Sequence, residues 1–133
     1  MPKTEKPEAP VQRGCLQILA AKRIFHWRSN NIPAFDRHGN FRKFAGMKGS
    51  SDIIGCLPWG RFLAVECKAP AIPLIGQRAG RLTPEQREFL EAINRNGGVG
   101  VCISDHMVLL KLIDSLLRDP DARFDIYGQP LKA

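Results

Sequence analysis

No apolar run in this 133-residue chain approaches the roughly 18 residues of a membrane-spanning helix, so a helical membrane span is excluded as a reading. Residues 1–10 are charged and carry three prolines without an apolar stretch, so they do not read as a secretory signal, and the expectation is a soluble, unsecreted, cytoplasmic protein. The four cysteines, Cys15, Cys56, Cys67 and Cys102, never fall in a C-x-x-C pair. With only three histidines and no ligand spacing among them, a zinc ribbon or a redox motif has nothing to stand on, and reduced core thiols are expected. Ser50, Ser51 and His38 lack the surroundings of a nucleophile elbow, which argues against a serine hydrolase. There is no internal repeat. Acidic residues are also short, 13 against 20 lysines and arginines, and the resulting formal charge of +7 suits a polyanionic partner; an anionic membrane surface is the competing reading.

What is present fits one domain with its own core, 44% of residues being hydrophobic. Residues 1–10 read as a disordered arm, 11–117 as the domain and 118–133 as a polar C-terminal tail. Val11, Cys15, Ile18 and Leu19 recur at helical spacing and predict a helix over 11–23. Ile24 to Arg28 alternates bulky apolar with polar residues and predicts a short strand; Ser29 to Asn40 reads as loop, and Phe41 to Phe44 as another short strand. Ala69 to Arg81, with two prolines and two glycines, reads as a mobile, ligand-touching loop. Thr83-Pro84-Glu85-Gln86 supplies an N-cap, a proline at the first helical position and a capping-box glutamine, so a helix follows to about residue 96 and stops at Gly97-Gly98. Val99 to Ile103 is a buried strand and Met107 to Leu117 a final helix. Because a crossover helix precedes it, the 99–103 strand can pair in parallel with the strand ending at Lys68, giving a mixed α/β sheet flanked by helices.

The chemistry concentrates in the run from Gly49 to Lys68. Two apolar stretches there flank Pro58-Trp59-Gly60, which puts proline where φ near −65° is wanted and glycine at the left-handed position of a bulged hairpin turn. Leu57 then faces Arg61, and counting outward sets Asp52 across from Glu66, with Cβ atoms roughly 4.5–5.5 Å apart. Two such carboxylates repel unless a cation or a proton lies between them, and hard oxygen donors favour Mg²⁺ or a similar ion. Lys68, two residues past Glu66, shares its face.

The ordered set Gly49-Ser50-Ser51-Asp52-Ile53-Ile54-Gly55, Glu66-Cys67-Lys68 and Gln86, on a helix ending in Gly97-Gly98, resembles the VRR-NUC branch of the PD-(D/E)XK nucleases, in its stand-alone phage and bacterial form. The segment from Ile24 to Asn30 resembles that group too. The resemblance spans residues 11 to 103 and implies a restriction-endonuclease-like fold, an αβββαβ core plus a C-terminal helix. It also implies a metal-dependent endonuclease, a hydrolase of DNA phosphodiesters whose substrates include branched forms such as the Holliday junction. On this chain Asp52 and Glu66 would hold Mg²⁺ or Mn²⁺ with the Cys67 backbone carbonyl, Lys68 would orient the attacking water, and Gln86 would sit beside the site. A first-helix acid that many relatives carry is missing, the nearby residues being Pro10, Val11 and Gln12, with Glu8 upstream; either Gln12 or Glu8 would substitute, or metal affinity would be reduced.

Other readings compete at single residues. A Thr-x-x-Gln capping box accounts for Gln86 without any catalytic role. Trp27 and Trp59 are expected to pack rather than to stack on bases. Arg28, Asn30, Arg42, Lys43 and Lys48 form a candidate phosphate-binding strip. A two-fold junction would suit a homodimer. The reading from a different class is an inert DNA-binding module whose missing first-helix acid marks a degenerate site.

Overall fold

The computed structural model describes residues 5–29, 34–35, 37–39, 41–42 and 49–132, with main chain only at 34–35 and 41–42. The elements are α1 (Ala9–Ala21), β1 (Phe25–Arg28), β2 (Ala34–Phe35), β3 (Phe41–Arg42), β4 (Ile53–Cys56), β5 (Phe62–Cys67), α2 (Pro84–Arg95), β6 (Val99–Ile103) and α3 (His106–Arg118), with a 3-10 turn at Pro73–Ile75. The four-stranded sheet runs β1-β4-β5-β6. Its first three strands are antiparallel and β6 lies parallel to β5. This is a mixed α/β architecture with helices on both faces of the sheet. The short strands β2 and β3 pair separately; β2 falls within the segment read as loop, and β3 begins the strand read at Phe41 to Phe44, whose last two residues lie outside the described residues.

Alternation along the strands divides the core into two. Ile53, Leu63, Val65, Val99, Val101 and Ile103 face α1 and α3, where they pack with Val11, Cys15, Leu19, Leu109 and Leu112. Ile54 and Ala64 face the other way, toward Leu90 of α2 and Ile126. Among the described residues α2 lies mainly over β5 and β6 and reaches β4 only around Ile54, which leaves the same face of β1 uncovered. Trp27, 48% exposed, and Phe25 stand on that bare face, their rings edge to face at 5.6 Å, and Trp59 at the hairpin tip is similarly exposed. Both tryptophans therefore depart from the packing expected of them.

Two boundaries also differ from the sequence reading. α1 starts at Ala9 with Pro10 in its first turn, where a missing N–H costs nothing. The segment after α3 is no loose polar tail: Phe124 and Ile126 are buried, and Cys102 N–H donates to the Ile126 carbonyl at 2.6 Å. Arg61 fastens it from the hairpin, donating to the carbonyls of Gly97 (2.9 Å), Pro120 (2.8 Å) and Ala122 (2.9 Å).

Candidate active site

The hairpin sets the register. Leu57 N–H donates to Arg61 O and Gly60 N–H to Leu57 O, both at 2.9 Å, closing the three-residue turn. Ile53 pairs with Val65, Ile54 with Ala64 and Cys56 with Phe62, so Asp52 falls opposite Glu66 one step beyond the ladder, as counted from the sequence. β4 ends at Ile53, which leaves the Cys67 N–H without a strand partner on that side. The Asp52 side chain takes it, Oδ2 accepting from Cys67 N at 2.8 Å, while the Asp52 carbonyl accepts from Ser29 N at 2.8 Å. The Cys67 thiol itself points into the opposite core, where the neighbouring Cys15 thiol and then burial raise its pKa, so only its main chain faces the site.

Glu66 lies on the α2 face of β5 and is only 3% exposed. Its Oε1 accepts from Gln86 Nε2 at 3.0 Å and lies 3.5 Å from Lys68 Nζ, while Oε2 and the buried Ser51 Oγ find no partner among the described residues. Burial first, then the Asp52 charge, pushes the Glu66 carboxyl up to about 8, with Lys68 pulling the other way. As an anion its Oε2 has no donor. As an acid it can donate to Asp52, and hydrogen bonding there favours the protonated form.

Gln86 completes the capping box and also touches Glu66. Its Oε1 accepts from Thr83 N at 2.9 Å and its own N–H donates to Thr83 Oγ1 at 3.1 Å, a complete capping box, while its Nε2 turns to Glu66. The capping box thus fixes a side chain that is also in the site. Gly49 explains how the loop before Asp52 reaches α2: it has φ +84°, and a Cβ there would lie 2.4 Å from the Glu85 carbonyl oxygen.

Gln12 and Glu8 stand one turn apart on α1, and Gln12 Oε1 accepts from Arg28 Nη2 at 3.3 Å. Arg28 pairs with Ile53, next to Asp52, so Gln12 approaches this end of the sheet. Among the described residues neither Gln12 nor Glu8 bonds to Asp52 or Glu66. Asn30, Lys43, Lys48 and the Arg42 side chain lie outside the described residues. The structure therefore brings Asp52, Glu66, Lys68 and Gln86 together. Among the described residues the Cys67 main chain joins them through its bond to Asp52, while Gln12 bonds to Arg28 at the same end of the sheet.

Asp52 and Glu66 present hard oxygens, and the orphaned Glu66 Oε2 is the kind of buried atom that a cation would satisfy. The donor set fits a single hard divalent ion completed by main-chain oxygen and water. No group of three or more His, Cys, Asp or Glu side chains able to hold a metal occurs among the described residues. No helix among them is long and apolar enough to cross a membrane. No protein-family model matches the chain, and neither curated proteins nor solved structures give a significant match.

Proposed function

We propose that this chain is a Mg²⁺- or Mn²⁺-dependent DNA endonuclease with a restriction-endonuclease-like fold. The observation that carries the reading is the Glu66 carboxylate: nearly excluded from water, unpartnered at Oε2, placed across from a second carboxylate and within reach of Lys68 and Gln86. A fold-stabilising role for such a group is poor, because a buried carboxyl with one oxygen unpartnered is costly in either protonation state, and perturbed carboxylates of this kind collect at functional sites.

Asp52, Glu66 and main-chain oxygen of Cys67 would hold the ion, which supplies polarisation of a phosphate oxygen and a more acidic bound water. Asp52 is kept in place for this by the Cys67 N–H. Gln86 holds Glu66 Oε1 and leaves Oε2 to face a ligand. Lys68 sets a positive charge beside the carboxylates, where it orients the attacking water and stabilises charge that grows on phosphorus oxygens. The formal charge of +7 draws the polyanion in. Branched DNA such as a four-way junction is the proposed substrate, cut by a homodimer whose two-fold axis matches the junction.

A second reading has its own observation. Gln12, where an acid would complete the ligand set, is engaged by Arg28, which favours an inert DNA-binding module with a degenerate site. Calorimetric titration of Mn²⁺ into the full chain separates the two. The nuclease reading expects one saturable site that Asp52→Asn removes; heat of dilution alone would leave the inert module.

A further inference from the structure

The loop that leaves the site carries the most exposed large apolar side chain described, Leu74, with Ile75 next to it. Leu74 is 98% exposed and Ile75 is 70% exposed, and neither belongs to either core. Scattered surface apolar residues are ordinary, but these two sit on a braced tip. Ile72 and Gln77 exchange main-chain hydrogen bonds (Ile72 N to Gln77 O 2.9 Å, Gln77 N to Ile72 O 3.1 Å). Gly76, in the left-handed region at φ +69°, closes the 3-10 turn by donating to Pro73 O at 3.1 Å, and Gln77 Nε2 donates to Pro70 O at 2.7 Å. These bonds make the tip a small hairpin-like turn with two aliphatic side chains pointing into water.

Its base is joined to the candidate site. Gly80 N–H donates to Ala69 O at 2.9 Å, and a Cβ at Gly80 would lie 3.2 Å from the Lys68 Cβ and 3.3 Å from its Cδ. The stretch of chain between Glu66 and Glu85 carries charge of one sign only, from Lys68, Arg78 and Arg81. Basic side chains flanking an apolar tip match a ligand with phosphates outside and flat apolar surfaces inside, the layout of a nucleic-acid base stack. Because the tip is already ordered, little conformational entropy is lost on insertion.

We infer that Leu74 and Ile75 form a wedge that enters a base step beside the scissile phosphate, so that the substrates are DNAs whose stacking is already interrupted, at a branch point, mismatch or gap. This rests on the nuclease reading and narrows its substrate class. An interrupted stack costs less to open than a continuous one, and the wedge turns that difference into selectivity.

The test uses the full chain in EDTA, so that nothing is cut, with 2-aminopurine placed next to the branch point of a four-way junction. The wild type raises its fluorescence, and the Leu74→Ala/Ile75→Ala double variant lowers that rise by roughly fivefold or more while anisotropy still reports DNA binding. With Mg²⁺ restored, the double variant's ratio of junction to single-strand cleavage drops about tenfold, because a single strand has little stacking to break. An equal fluorescence rise in both proteins overturns the wedge even where metal-dependent cleavage stands, whereas absence of cleavage of any DNA by wild type would overturn the nuclease reading itself. Flotation with phosphatidylglycerol vesicles closes the remaining route: vesicle binding lost in the double variant, with unstacking unchanged, would make the tip a membrane contact and overturn the proposal.

Discussion

Glu66 binds a proton more tightly in the folded chain than in the unfolded one, where its pKa is near 4.5. Below that value both states are protonated and the group is neutral in the balance. As pH rises toward about 8, only the unfolded state releases its proton, so stability falls throughout this window and levels off above it. Thermal or urea unfolding of the metal-free protein should show a loss on the order of a few kcal/mol across the window, and Glu66→Gln should flatten that contribution. Divalent metal should oppose the loss, since it binds the charged form. The pairing of Asp52 with Glu66 was legible in the sequence because strand alternation and one turn with a demanding glycine fix a register completely. Gln86 was only half legible. A capping box explains such a residue on its own, and nothing in sequence spacing says that the same amide's nitrogen will meet Glu66. Substituting Gln86→Glu keeps the cap on α2 but removes the donor to Glu66 Oε1 and sets another carboxylate beside it, so metal-free stability should fall by about 1–3 kcal/mol and cleavage by about tenfold to a hundredfold, read from urea unfolding and from DNA cleavage.

At the level of elements, helices and strands with clear periodicity came out within a few residues, and the errors fell where local pattern is silent. Burial of Phe124 and Ile126 depends on a distant residue: Arg61 gathers carbonyls from Gly97, Pro120 and Ala122, contacts that join parts of the chain 36 to 61 residues apart. Composition alone made that segment look like a tail. Arg61→Ala should destabilise the fold by about 2–3 kcal/mol and should speed hydrogen exchange at Cys102 N–H, which bonds to Ile126, more than in α1. An unchanged exchange pattern would show that the clamp is idle. The exposure of Trp27 has a similar origin, because a strand's burial is decided by which helix lies over it, and α2 stops short of β1. The braced tip at 72–77 was invisible for a different reason: proline and glycine announce a turn but not its reciprocal hydrogen bonds.

For the molecule as a whole, a mixed sheet with one parallel pair places the catalytic candidates at the end of β5, between the hairpin and the N-terminus of α2, in a chain with a formal charge of +7. DNA affinity should therefore depend steeply on salt. If about four phosphates are contacted, raising monovalent salt from about 50 to 200 mM should weaken binding about a hundredfold, measurable by anisotropy. A flat response would remove the polyanion from the account. The central claim is that the Asp52 and Glu66 pair hydrolyses DNA with a divalent ion. Its most direct test is cleavage of labelled four-way junction, flap, duplex and single-stranded DNA in Mg²⁺ and Mn²⁺, wild type against Glu66→Gln. Metal-dependent cutting, strongest on the junction and absent from the variant, is the predicted result; binding of all four DNAs without any cleavage, or cleavage undiminished in Glu66→Gln, would contradict it.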